Sequence, residues 1–406
     1  MRARVVAGVV PAVLSAGLLI GGAVMAGAGP SGDDPRAGNS LQQNWAARNA
    51  GQQVLGGSRE PGVPSIQRLR HDNVVFTVTV APSLPGPNLV RLDSVHFGPH
   101  GARHRTKPAF VGTSEQDLVK AVPRPGTDGL WAVVDLPEGT GTVLVTHGRW
   151  HRVPFAVETG TTDQTAAEAA RWTGPDGPEC VSVATASLIS GAGRTAAGDC
   201  PAEGLSDPDR TAVERLVDTL AGRGVEELAL QSDSSARSRE ARTVAEETAA
   251  ARGLRIVDPQ AAPGERDALL VLGGWATSAR SLAAVTSRPL QEQPIRSDGT
   301  WMAPWLLTPG VIDATAGAIL PLTFDIRSTA AQEYSQTLAT YLPGQAPTAS
   351  GYLTWRAARG ESVDPLALYA ASRAAFMPSE PGHPSHETQV AWFPGGTVTP
   401  VGLPLS

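Results

Sequence analysis

Residues 5–28 carry no charged side chain, and that stretch constrains the chain more than any other. Arg2 and Arg4 precede it, and Asp33 and Asp34 follow shortly after. An uncharged run of this length enters hydrocarbon without burying an ion, and at about 1.5 Å of helical rise per residue it exceeds a bilayer core of roughly 30 Å. Arginines before it and carboxylates after it predict an N-in, C-out orientation. Two outcomes stay open: a retained membrane anchor, or a cleaved signal with a small-residue site at Ala26-Gly27-Ala28. In either case the rest of the chain is expected to work outside the cytoplasm, anchored or secreted.

That location gives the two cysteines meaning. Cys180 and Cys200 are the only pair among 406 residues, and in an oxidising compartment such a pair predicts one disulfide, with two buried thiols as the alternative. No CxxC motif accompanies them to suggest a metal site. A net charge of −6 with only two lysines, Lys107 and Lys120, leaves no basic stripe to displace counterions, which excludes a nucleic-acid partner.

The organisation is read from changes in pattern. Residues 29–68 are rich in Gly, Ser, Asn, Gln and Pro and read as a flexible linker. Residues 69–158 contain short β-branched runs broken by Gly and Pro, the pattern of an antiparallel β-sandwich. Residues 159–178 read as a second linker with a short helix near 166–171. From 179 to 406 helical and strand periods alternate, predicting an α/β domain on a mainly parallel sheet. Ser206 followed by Pro208 starts one helix, with Val213, Leu216, Val217 and Leu220 on its apolar face. Further helices are expected at 330–342, 349–358 and 365–376, with a closing hairpin from 389–393 and 398–402. The fold class is thus multidomain, a sandwich followed by an α/β unit.

Ligands of open parallel sheets bind beyond the carboxyl ends of the strands. That rule singles out Gln231 with Ser232, Asp233, Ser234 and Ser235 after one strand, Gly273, Gly274 and Trp275 after the next, then Thr308 and Asp325. The same residue types also serve as ordinary helix caps and tight turns. No G-x-S-x-G elbow, Walker A loop, dinucleotide fingerprint or H-E-x-x-H helix occurs, so no catalytic residue is expected.

Residues 224–360 resemble the type I periplasmic binding proteins, receptors for branched-chain amino acids and amides. The carriers are the strand and helix of 225–253, the strand exit from Asp267 to Trp275, and Tyr334, Tyr341 and Tyr352 with their neighbours. The resemblance implies a non-catalytic module holding a small polar solute at Ser232–Ser235, Gly273–Trp275 and Thr308. Residues 172–406 are too few for two full lobes.

Residues 74–158 are similar to extracytoplasmic sandwich domains of bacterial copper-resistance proteins. His96, His100, His104, His147 and His151 fall there in four-residue steps. Imidazole nitrogens suit copper or zinc, although this spacing brings side chains together only if the fold converges them. Solvated loop histidines are the alternative, in which case no cofactor is needed. A further reading is a scaffold that binds another cell-envelope protein.

Overall fold

A computed structural model describes residues 53–57, 60–71, 74–96, 108–124, 129–147, 150–173, 178–192, 200–373, 392 and 396–405. The run at 5–28 and most of the first linker lie outside the described residues. Among those described, no helix is long and apolar enough to cross a membrane.

The amino-terminal part is built from β1 (Gln53–Gly57), β2 (Ser65–His71), β3 (Val74–Ala81), β4 (Gly86–His96), β5 (Ala109–Gly112), β6 (Val119–Ala121), β7 (Leu130–Leu136), β8 (Gly139–His147) and β9 (Trp150–Gly160). They form two antiparallel sheets, ordered β1-β2-β3-β4-β7 and β6-β5-β8-β9. Alternation along the strands decides which side chains meet. Phe76, Val78, Val80 and Val90 from the first sheet share one apolar cluster with Val111, Val143, Val145 and Phe155 from the second.

Two strands fall where a flexible linker was expected. β2 hides its alternation because polar side chains occupy its inward positions. Ser65, Gln67 and Leu69 are all buried. Gln67 is satisfied there by donating from Nε2 to Ala156 O at 2.6 Å, and β1 pairs with β2 in register from Gln53 opposite Arg70.

The rest of the chain comprises α1 (Ala166–Thr173), α2 (Pro178–Ile189), α3 (Asp207–Gly222), β10 (Glu227–Gln231), α4 (Ala236–Arg252), β11 (Arg255–Val257), β12 (Asp267–Val271), α5 (Trp275–Thr286), β13 (Thr300–Met302), the short α6 (Pro309–Ile312), β14 (Gly317–Leu322), α7 (Thr329–Tyr341), α8 (Ala349–Ala358), β15 (Ala367–Arg373) and β16 (Gly396–Pro404). One seven-stranded sheet runs β11-β10-β12-β13-β14-β15-β16. Its first five strands are parallel and the last two antiparallel. The helix expected at 365–376 is therefore strand β15. Its alanine-rich sequence favours a helix locally, but pairing on both edges with β14 and β16 overrides that preference. β16 pairs with β15 rather than with 389–393, most of which lies outside the described residues. Trp392 is buried against Phe324, Tyr334 and Tyr352 and donates to Ala331 O at 2.8 Å.

The two parts share a core. Ala81, Leu89 and Trp131, on the outer face of the five-stranded sheet, belong to the same apolar cluster as Trp172, Val181 and the α/β interior. Within the expected second linker, 159–160 end β9 and 166–173 form α1, which packs on β4, and Gln164 donates to Pro85 O and Pro87 O at 3.0 and 3.1 Å. Arg91, 2% exposed, donates to Pro343 O at 2.7 Å while its guanidinium lies 5.6 Å from the Trp131 ring centre. Cys180 and Cys200 form the expected disulfide, tying the first turn of α2 to the turn before α3. Closing a loop of this size contributes about 3 kcal/mol.

Gly344 has φ of +78°, and a Cβ there would sit 2.0 Å from Arg91 Nη1. Gly344→Ala is expected to lower stability by ~1–3 kcal/mol in denaturant titration, because backbone strain and overpacking act together. The loss should shrink in an Arg91→Ala background.

Candidate functional site: the strand exits of the parallel sheet

Parallel pairing brings the carboxyl ends of β10, β12, β13 and β14 to one edge of the sheet. Asp233 organises the first two exits. Its Oδ1 accepts from Ser235 N at 3.0 Å and Ser235 Oγ at 2.6 Å, and its Oδ2 accepts from Gly274 N at 2.7 Å. Burial alone raises the Asp233 pKa, but the Ser235, Gly274 and Thr277 donors together hold the carboxyl below its ordinary value. This carboxylate thus joins the turn before α4 to the turn before α5.

Two tryptophans then clasp the exits of β12 and β13. Trp275 Nε1 donates to Trp305 O at 2.7 Å, and Trp305 Nε1 donates to Gly273 O at 3.1 Å. Both indoles are buried, so each N–H needs such a partner. Gly273 is required by close approach. A Cβ on it would lie 3.0 Å from Ser278 Oγ and 3.4 Å from both Asp233 Oδ2 and Gln231 Nε2. Three polar side chains therefore crowd the Gly273 Cα, leaving no room for a Cβ without a shift. Ser278 is fully buried, and its hydroxyl and both polar atoms of the Gln231 amide have no hydrogen-bond partner among the described residues.

The remaining expected residues are distributed differently. Ser232 Oγ accepts from Arg242 at 3.3 Å, and Ser234 is exposed with its carbonyl taken by Arg239. Thr308 is fully buried at the start of α6, with its Oγ1 unpartnered among the described residues. Asp325 is engaged by its neighbour Arg327 at 2.6–3.1 Å, and that guanidinium holds its carboxyl below the ordinary range.

Sequence reasoning missed the charged pair beside these exits. Arg237, in the first turn of α4, makes a two-pronged contact with Glu179 of α2 at 2.8 and 2.6 Å. Ser350 Oγ donates to Glu179 Oε1 at 2.5 Å, and the guanidinium lies 4.6 Å from the Trp305 ring centre. Asp209 lies close by, its carboxyl pushed up by burial against the lowering effect of Arg237 and of the Ser206 hydroxyl. Neither Arg237 nor Glu179 follows a strand directly, so no strand-exit rule selects them. Ser278, one turn into α5, escapes it for the same reason.

Of the five histidines, His100 and His104 lie outside the described residues. His96 ends β4 opposite Val74, and His151 sits in β9. His147 is buried with its ring stacked 5.2 Å from that of Phe76. Among the described residues no group of three or more His, Cys, Asp or Glu side chains is placed to hold a metal ion.

Asp233→Asn is expected to destabilise the protein by ~1–2 kcal/mol at neutral pH. A depressed folded-state pKa stabilises fully above the unfolded value of about 3.9, and that contribution is lost as pH falls through the folded value. The gap between wild type and Asp233→Asn in denaturant midpoint should therefore narrow below about pH 3.9.

No protein-family model matches the sequence, and no curated protein matches it. Solved structures that match include a substrate-binding periplasmic protein from Ralstonia solanacearum, with 16% identity over 38% of this chain and 49% of that one, at a TM-score of 0.29. A branched-chain amino acid ABC transporter protein from Thermus thermophilus with bound valine matches at 16% identity over 37% and 44% of the two chains, TM-score 0.29. A periplasmic ligand-binding protein of a branched-chain amino acid ABC transporter from Burkholderia xenovorans LB400 matches at 12% identity over 61% and 84%, TM-score 0.35. The match to the first two spans about half of their length. The first and third of these are periplasmic substrate- or ligand-binding proteins.

Proposed function

We propose that this chain is an extracytoplasmic, non-catalytic binding protein whose α/β unit holds a small polar solute at the strand exits. The observation that carries the reading is that the Ser278 hydroxyl and both polar atoms of the Gln231 amide lie buried at the exits of β10 and β12 with no hydrogen-bond partner among the described residues. A buried hydroxyl or amide left without a partner costs about 1–3 kcal/mol, so such groups persist where something outside the fold satisfies them. A carboxylate, an amide and a hydroxyl together fit a cationic amine or an amide N–H of the solute. No nucleophile and base are paired at this edge among the described residues, and hydrogen bonding alone suffices for holding a solute. The uncharged run at 5–28 supports export and, where retained, tethering to the membrane.

The test is a thermal-shift screen of the folded protein with amino acids, amides and simple amines. A ligand at about 100 times its Kd adds about 2.7 kcal/mol, which corresponds to a rise in Tm of roughly 5–10 °C for a unit of this size. Ser278→Ala should leave the unliganded Tm unchanged or slightly higher, because it removes an unpaired buried hydroxyl, while weakening the best ligand about tenfold. A screen in which no compound shifts the melting of protein proven folded by circular dichroism refutes the reading.

A further inference from the structure

Gln231 closes β10 with an amide that no described residue engages. Its backbone is placed by the sheet, opposite Val271 and with its carbonyl accepting from Leu272 N at 2.7 Å. Its side chain has no such support: Nε2 and Oε1 are both covered, and neither has a hydrogen-bond partner among the described residues. The count is the same whichever way the amide is turned, because both of its ends are orphaned. Ser278, fully buried one turn into α5, adds a hydroxyl in the same condition. Both side chains lie alongside Gly273, since a Cβ on that residue would come within 3.0 Å of Ser278 Oγ and 3.4 Å of Gln231 Nε2. Gln231, Asp233 and Gly274 are only half-buried as residues, so these orphaned atoms lie one layer beneath the surface.

The neighbouring carboxylate is not free to join them. Asp233 Oδ1 accepts from Ser235 N and Ser235 Oγ at 3.0 and 2.6 Å, Oδ2 accepts from Gly274 N at 2.7 Å, and the Thr277 hydroxyl also donates to the carboxylate. A carboxylate offers about four lone-pair sites, and the protein's own donors take them. What remains for a solute is an amide and a hydroxyl, both uncharged. The Asp233 charge still acts on what binds: a solute carboxylate there would face a like charge in a partly desolvated place. A solute ammonium has donors only, so it would set its N–H groups against those of Gln231 while giving up water. An uncharged group carrying a carbonyl beside an N–H meets both ends of the Gln231 amide at once, and the Ser278 hydroxyl either donates or accepts.

We propose that the group recognised at these exits is an uncharged carboxamide edge, a C=O beside an N–H, paired with Gln231 and Ser278, and that Asp233 holds the turns rather than the solute. The assignment rests on the solute reading at the same exits and narrows it to an amide over a cationic amine.

Propionamide, propylammonium, propionate and 1-propanol are probes of matched size that separate the cases, on the full disulfide-bonded chain at constant ionic strength. Titrations followed by Tm and by calorimetry should show saturable propionamide binding, ~10-fold or more tighter than binding of the other probes. Gln231→Met keeps the length of the side chain and removes both orphaned ends. It should leave the unliganded Tm unchanged or higher while weakening propionamide ~10-fold. Gln231→Glu offers only acceptors when ionised and should move the preference toward propylammonium. Asp233→Asn should lower the Tm but leave the order of the probes unchanged. Should the Gln231 variants fail to fold, Ser278→Ala supplies the loss of propionamide binding. Propylammonium or propionate binding as tightly as propionamide in wild type, or propionamide binding that survives Gln231→Met, overturns the assignment while the solute reading stands. Silence of all these probes overturns it as well, and only silence across the wider screen of amino acids, amides and amines removes the solute reading with it.

Discussion

A guanidinium and a carboxylate withdrawn from water set the terms for the whole carboxyl edge of the sheet. Arg237 comes from the first turn of α4 and Glu179 from the first turn of α2, so their contact decides where α2 lies. Breaking such a pair leaves an uncompensated buried charge at a cost of about 3–5 kcal/mol. Everything packed on α2 inherits that constraint, including the hydroxyl contacts to Tyr334 and Thr348 and the disulfide that follows Glu179 by one residue. The interaction works because it is complete: both carboxylate oxygens and two guanidinium nitrogens are engaged, and a further hydroxyl reaches Oε1.

A second constraint joins the amino-terminal sheets to the α/β unit. Trp131 turns its ring outward from the five-stranded sheet into the larger core, and Arg91 lies over that ring while reaching the loop after α7 through Pro343 O. Gly344 has no side chain where the guanidinium passes. A buried arginine that donates to a backbone carbonyl across two units fixes their register more sharply than apolar packing alone, because the donor directions are fixed.

Much of this could be read from the chain before any coordinates. The alternation of helical and strand periods after residue 200 marks α3, β10, α4, β12 and α5, since Val213–Leu220 of α3 and Asp267–Leu272 at β12 are locally consistent with their final states. The strand exits at Asp233, Gly273 and Trp275 were legible because topology assigns them a place whatever their contacts. Three things were not. β2 places Ser65 and Gln67 inward, so its apolar alternation is absent, and Gln67 reaches a carbonyl 89 residues away. β15 carries a helix-favouring composition that sheet pairing overrules. Glu179 and Arg237 are 58 residues apart and look like surface charges until packing brings them together.

The exits of β12 and β13 also explain how separate contacts at this edge can act as a unit. Trp275 and Trp305 each donate to the backbone of the other's turn, so neither turn shifts alone. Asp233 extends the same link to the exit of β10, and the ring of Trp305 extends it to Arg237. A chain of rigid contacts transmits nothing unless some element has two arrangements that both ends can bias. α2 is placed by both kinds of contact, with Glu179 and Ser182 making polar ones while Val181, Ala184 and Ala186 lie in the main apolar cluster.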